Sequence, residues 1–168
     1  MPHEQYTEEE LGNLPSSLYD QYRRTRKILE LQWPQDEIEK WARQGLSISG
    51  PGGRAWEAAQ EYFKASQRLC KTLNHQQLLQ WGEIGGELSK DSKSQSLAYF
   101  RSSPATLVVM DPKDLMRWTQ LGQSLYNGTW KSSQLSETFF TTTPALLDHL
   151  NFKELDDFAQ LLLTLSKR

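Results

Sequence analysis

The 168-residue sequence predicts an all-α fold: an α-solenoid-like array of about three and a half units of 37–40 residues, each made of two helices and a short third. Three observations carry this reading. A tryptophan recurs in one setting, since Trp41, Trp81 and Trp118 each stand three residues after an aliphatic (Ile38, Leu78, Leu115) and four before a glycine (Gly45, Gly85, Gly122). An aromatic pair follows each time: Tyr62-Phe63, Tyr99-Phe100 and Phe139-Phe140. The intervals Trp41→Trp81→Trp118→Phe158 are 40, 37 and 40 residues, with Phe158 in the tryptophan place of a partial fourth copy. A period of this length marks stacked supersecondary units that bury their apolar faces only against neighbours.

The chain divides into a leader, 1–33, and one domain of repeats, 34–73, 74–110, 111–150 and a half unit 151–168. In the leader, Thr7 and the three glutamates after it suit a short turn broken at Gly12 and Pro15. Leu18, Tyr22, Thr25 and Leu29 then mark one face of a single helix over 16–32.

The first helix of each unit is written twice at its start. Asn74, Asp111 and Asn151 fit N-caps, with Gln77, Asp114 and Glu154 three residues on as capping-box partners. Leu73, Met110 and Leu150 before the caps pair with Leu78, Leu115 and Leu155 as hydrophobic staples. The first unit has Pro34 in the cap place, which predicts a slightly shifted start. Leu78, Trp81, Gly85 and Leu88 share a helical face, and Leu115, Trp118, Gly122 and Leu125 repeat it. A glycine inside a helix costs about 1 kcal/mol against alanine, so it reads either as a site of close packing or as a helix end.

The second helix carries the aromatic pair, over 54–65, 92–102 and 131–142. Trp56 and Trp130 fall on its aromatic face. Ser103-Pro104 and Thr143-Pro144 read as a cap and a first helical residue, giving short third helices over 104–109 and 144–149. Gly50-Pro51-Gly52-Gly53, the stretch around Lys90 and Asn127-Gly128 are the connections within the units. The half unit is one helix from Asp156 to Leu165. The structural core of the repeat is thus expected to be Trp41, Gly45, Phe63, Trp81, Gly85, Phe100, Trp118, Gly122, Phe140 and Phe158.

Composition narrows the function. A formal charge of -2 gives no net basic surface for a non-specific grip on nucleic acid. The single cysteine, Cys70, permits no intrachain disulfide and suits a reducing compartment; it reads as a buried structural thiol. No signal peptide and no membrane span is evident, so a cytoplasmic protein that does not meet a membrane is expected. Gly45 and Gly50 are spaced as in a phosphate loop, but Pro51 and Gly52 stand where its lysine and hydroxyl residue belong. His3, His75 and His149 have no partner at metal-ligand spacing, and no catalytic or cofactor motif is found. The chain therefore reads as a non-enzymatic protein-interaction module with no cofactor. The basic cluster Arg23, Arg24, Arg26 and Lys27 is its candidate partner-binding site, with nucleic acid contacted through that cluster as the alternative.

The string Leu-x-x-Trp-x-x-x-Gly-x-x-Leu, followed by Tyr/Phe-Phe-x-x-Ser/Thr-Pro, resembles the helical repeat region of bacterial von Willebrand factor A domain proteins related to nitric oxide reductase activation proteins. It rests on 38–165, through Trp81 to Gly85, Ala98 to Pro104, Trp118 to Gly122 and Phe139 to Pro144. The A domain itself is absent: its Asp-x-Ser-x-Ser signature is nowhere present, and Lys93 breaks the nearest approach at Asp91–Gln95. The resemblance implies an interaction module or scaffold acting with a MoxR-type hexameric ATPase in activating or assembling a metalloenzyme.

Overall fold

Cap chemistry sets where the helices begin. In the computed structural model, which describes residues 2–166 (side chains for 7–165 except Asp91), the described elements are all helical. They are α1 (Pro2–Gly12), α2 (Ser16–Leu29), α3 (Gln35–Ser49), α4 (Trp56–Leu69), α5 (His75–Asp91), α6 (Lys93–Val109), α7 (Pro112–Ser124), α8 (Trp130–Leu146) and α9 (Phe152–Ser166). Asn74 Oδ1 accepts the Gln77 N–H at 2.8 Å while Gln77 Oε1 accepts the Asn74 N–H at 3.1 Å. Asn151 and Glu154 make the same reciprocal pair at 2.8 and 3.1 Å. Asp111 caps α7 through the Lys113 N–H, with Pro112 at the first helical position. Pro34 occupies the cap place of α3 without a side-chain bond, and α3 starts in the same register as its counterparts, not shifted.

The odd helices α1, α3, α5, α7 and α9 pack in one row, and the even helices α2, α4, α6 and α8 in a second. Consecutive odd and even helices form hairpins that bridge the rows. The leader departs from the single helix expected over 16–32, because residues 2–12 are helical as well. The hairpin α1–α2 joins the rows as their first members. Thr7 Oγ1 donates to the buried Glu39 carboxylate of α3 at 2.9 Å, and Arg43 bridges the same group at 3.2 Å.

Between the rows runs a column of alternating rings: Tyr22, Trp41, Tyr62, Trp81, Tyr99 and Trp118. Successive members stack with centroids 5.7–6.3 Å apart and interplanar angles of 14–29°. Phe63, Phe100 and Phe140 stand edge-on to the tryptophan of their own hairpin, at 4.9–5.1 Å. Tyr22, although in the leader, fills the place that Tyr62 and Tyr99 fill later.

Each indole is held by one recurring bond. Trp41 Nε1 donates to Ser66 Oγ at 3.0 Å, Trp81 to Ser103 at 2.9 Å and Trp118 to Thr143 Oγ1 at 2.9 Å. Each hydroxyl in turn donates to the carbonyl four residues back, on Tyr62, Tyr99 and Phe139, at 2.6 Å. Each phenylalanine ring lies where a Cβ on Gly45, Gly85 or Gly122 would have to be. The glycines therefore sit inside their helices at a place of close packing and do not end them, and the body that approaches is a ring.

The hydroxyl lock corrects the expectation of short third helices over 104–109 and 144–149. α6 and α8 run unbroken through Pro104 and Pro144. Ser103 and Thr143 are mid-helix and spend their hydroxyls on the indoles, so they cap nothing. Proline inside a helix costs about 3 kcal/mol, which the packed aromatic face offsets here. Two further aromatic assignments fail. Phe158 is 41% exposed and is not core, because α9 ends the odd row and no even helix covers it. Trp130 is 73% exposed at the first turn of α8, ahead of that helix's buried face.

Three consequences can be measured. Ser103→Ala leaves the buried Trp81 N–H unpaired and should lower stability by about 1–3 kcal/mol in denaturant melts, whereas Ser103→Thr, the residue at position 143, should stay near wild type. Gly85→Ala should destabilise by about 1–3 kcal/mol through overlap with Phe100, and Phe100→Leu in the same chain should recover part of it. Burial pushes the Tyr62 and Tyr99 phenols well above the ordinary phenol range. A raised folded value favours the protonated form, so that stability is whole below the ordinary phenol value and is lost as pH climbs towards the folded one. Phenolate absorbance should rise in two phases, the later one coinciding with loss of helicity.

Candidate functional site

The lock spends the hydroxyls of the core on its own structure and leaves charge on the outer faces of the two rows. The even helices carry nine Lys or Arg against four Asp or Glu, and the odd helices six against fourteen. The near-neutral total conceals a basic row and an acidic row. On the basic row, the position two residues after the column tyrosine reads Arg24, Lys64 and Arg101, all exposed, then Thr141. Neighbouring helices lie about 8–10 Å apart, so these cations form a ladder across α2, α4 and α6.

The groove between α4 and α6 concentrates this charge. Its α4 wall holds Glu61, Lys64 and Arg68 and continues to Lys71; its α6 wall holds Arg101, Pro104, Leu107 and Val108. Glu61 bridges Arg101 across it at 3.3 Å. Lys64, Arg68 and Lys71 make no ion pair among the described residues and are exposed. Val108, at 75% exposure, sets an apolar side chain beside them. Pro104 has no N–H, so the Phe100 carbonyl that lines the groove lacks its helical donor. One wall thus offers cations and the other an apolar surface with a free acceptor.

The structure divides the basic cluster of α2. Arg26 donates to Tyr22 Oη at 2.6 Å and to Glu30 at 3.0 Å, which ties it down. The Arg23 guanidinium lies 5.8 Å from the centre of the Tyr19 ring. Arg24 and Lys27 are exposed and make no ion pair among the described residues, and Arg24 belongs to the ladder. Sequence reasoning missed Lys64, Arg68, Lys71 and Arg101. The signal was present: Arg24, Lys64 and Arg101 share one position relative to the recurring tyrosine.

Other candidates stay apart. Gly50 and Gly52 take positive φ in the connection around a single 3₁₀ turn, Pro51–Gly53, and no lysine stands where a phosphate loop needs one. His75 Nδ1 lies 3.1 Å from Glu37 Oε2, with its ring edge-on to Trp33 at 6.0 Å. Burial pushes the Cys70 thiol up, away from the reactive thiolate. Among the described residues, no group of three or more His, Cys, Asp or Glu is placed to hold a metal, and no helix is long and apolar enough to cross a membrane.

Arg117 and Asp156 tie α7 to α9 by two bonds, 3.0 and 3.2 Å long, and the guanidinium holds the Asp156 carboxyl below its ordinary value. A lowered folded value contributes stability above the ordinary carboxylate range, lost as pH falls through the folded value. The exposed pair is worth under about 1 kcal/mol. Asp156→Asn should remove that increment from the acid limb of a stability–pH curve and leave the neutral-to-alkaline limb parallel.

No protein-family model, no curated protein and no solved structure matches the chain.

Proposed function

We propose that this chain is a non-catalytic, cytoplasmic protein-interaction module that receives an acidic, partly apolar segment of another protein in the groove between α4 and α6. The single observation that carries this reading is the pairing of three cations without ion partners, Lys64, Arg68 and Lys71, with the apolar wall of Pro104, Leu107 and Val108. Cations on one wall steer and orient an anionic partner, and the apolar wall supplies surface to bury. Glu61 and Asp20 stand among the cations of the even row, which favours a partner of matching charge register over a uniform polyphosphate. The resemblance noted above makes a MoxR-type ATPase the first partner to try.

A zero-length carboxylate-to-amine crosslinker in native lysate should join Lys64 or Lys71 to an Asp/Glu-rich segment of one protein. Lys64→Glu with Arg68→Glu should weaken that complex at least about 10-fold without changing the melt, since both residues are exposed. Nucleic acid bound at low salt and released by the same pair of substitutions would replace this reading with the nucleic-acid one.

A further inference from the structure

We infer that the uncovered face of α9 pairs with the same face of a second copy of this chain, the two helices running antiparallel. The repeat itself identifies the face. Gln44, three residues after Trp41, donates to the Leu79 carbonyl at 2.8 Å, so this position faces the next odd helix. Leu121 holds the same position on α7 and is buried. Leu161 holds it on α9 and is 54% exposed. Phe158 and Leu165, in the places of Trp118 and Leu125, are 41% and 51% exposed where their counterparts are buried. On α8, Thr138 and Thr142 are exposed where Ala98 and Ser102 of α6 are buried. The uncovered surface therefore continues both rows.

The opposite end is closed. Arg23 covers the Tyr19 ring and Arg26 the Tyr22 hydroxyl, a polar terminus of the kind that keeps helical arrays soluble. An apolar terminus has the reverse consequence and calls for cover.

The chemistry of α9 argues against a further hairpin of the same kind as that cover. The glycine place holds Leu162, whose side chain occupies the volume that a phenylalanine ring takes over Gly45, Gly85 and Gly122. Phe158 has no N–H to give a serine or threonine hydroxyl. What remains is an aliphatic and aromatic strip of Phe158, Leu161 and Leu165, centred on Leu161. A two-fold axis at Leu161 sets Phe158 of one copy against Leu165 of the other, a self-complementary contact. Charge selects the direction. Glu154, Asp156 and Asp157 lie in the first half of α9, and no acid follows Asp157 within the helix. Parallel helices would bring these acids together; antiparallel helices keep them apart.

Static light scattering or sedimentation across micromolar to hundreds of micromolar should show the mass doubling with concentration, equally at low and high salt. Leu161→Glu and Leu165→Glu should each leave a monomer with unchanged helicity. Under mild oxidation Leu161→Cys should link to its own copy. Leu165→Cys should not, because its two copies lie about 10 Å apart along the helices. A monomer at every concentration, or a dimer indifferent to both glutamates, would overturn the inference. So would equal linking at the two cysteines, or association at low salt only, which would point to the oppositely charged rows meeting instead.

Discussion

A buried indole N–H is the constraint to which the rest of the molecule answers. Trp41, Trp81 and Trp118 are fully buried, and an indole can only donate. Left unpaired, each N–H would cost about 1–3 kcal/mol, so each hairpin must bring an acceptor to it. Ser66, Ser103 and Thr143 do so, and a hydroxyl accepts in a dry core only if its own proton has somewhere to go. The carbonyl four residues back takes it. This two-bond relay sets the rotation of each even helix about its axis. With that rotation set, the phenylalanine three residues before the hydroxyl lands on the glycine, and the residue before it enters the column. Glycine, ring pair and hydroxyl are separate in sequence and act as one joint.

What was legible in the sequence follows from how local the cause is. Caps and staples act within one turn, and Asn74, Asp111 and Asn151 start helices as their neighbours dictate. The repeat was legible because the joint recurs whole. Ser103-Pro104 and Thr143-Pro144 misled for the opposite reason: read locally they are a helix start, and only the indole from the preceding helix claims the hydroxyl. The helix at 2–12 lacks an apolar stripe and is held by Thr7 reaching Glu39, 32 residues away. Phe158 carried the period but not the partner that would bury it. The cations of the groove could not be assigned from periodicity, because exposed positions repeat only where a partner demands it.

Charge segregation is permitted by a core that uses no ion pairs in its column. Since the aromatic joint orients the helices, surface residues are free to vary without moving the frame. They have varied in opposite senses on the two rows, which a total of -2 does not reveal. Total charge governs solubility and long-range repulsion, whereas a partner within a Debye length of one face meets that face alone. The argument from composition against nucleic acid was therefore weaker than the number suggested. The case for a protein partner rests instead on the acids interspersed among the cations and on the apolar wall opposite them.

The joint also explains why one groove differs from its neighbours. All the grooves of the even row share a frame, but their walls differ at the outward positions. Between α2 and α4, Arg24 stands across from Gln60 and Gln67, and Gln21 reaches Gln67 at 3.5 Å. Between α6 and α8, the α8 wall carries Thr141 in the cationic place. Only α4 to α6 sets Lys64 and Arg68 against a proline. Pro104 is tolerated because the lock and column hold α6 on both sides of it, and its missing N–H leaves the Phe100 carbonyl open on the face where the cations gather. The cost of placing a proline in a helix is thus met by the core, while its consequence appears at the surface.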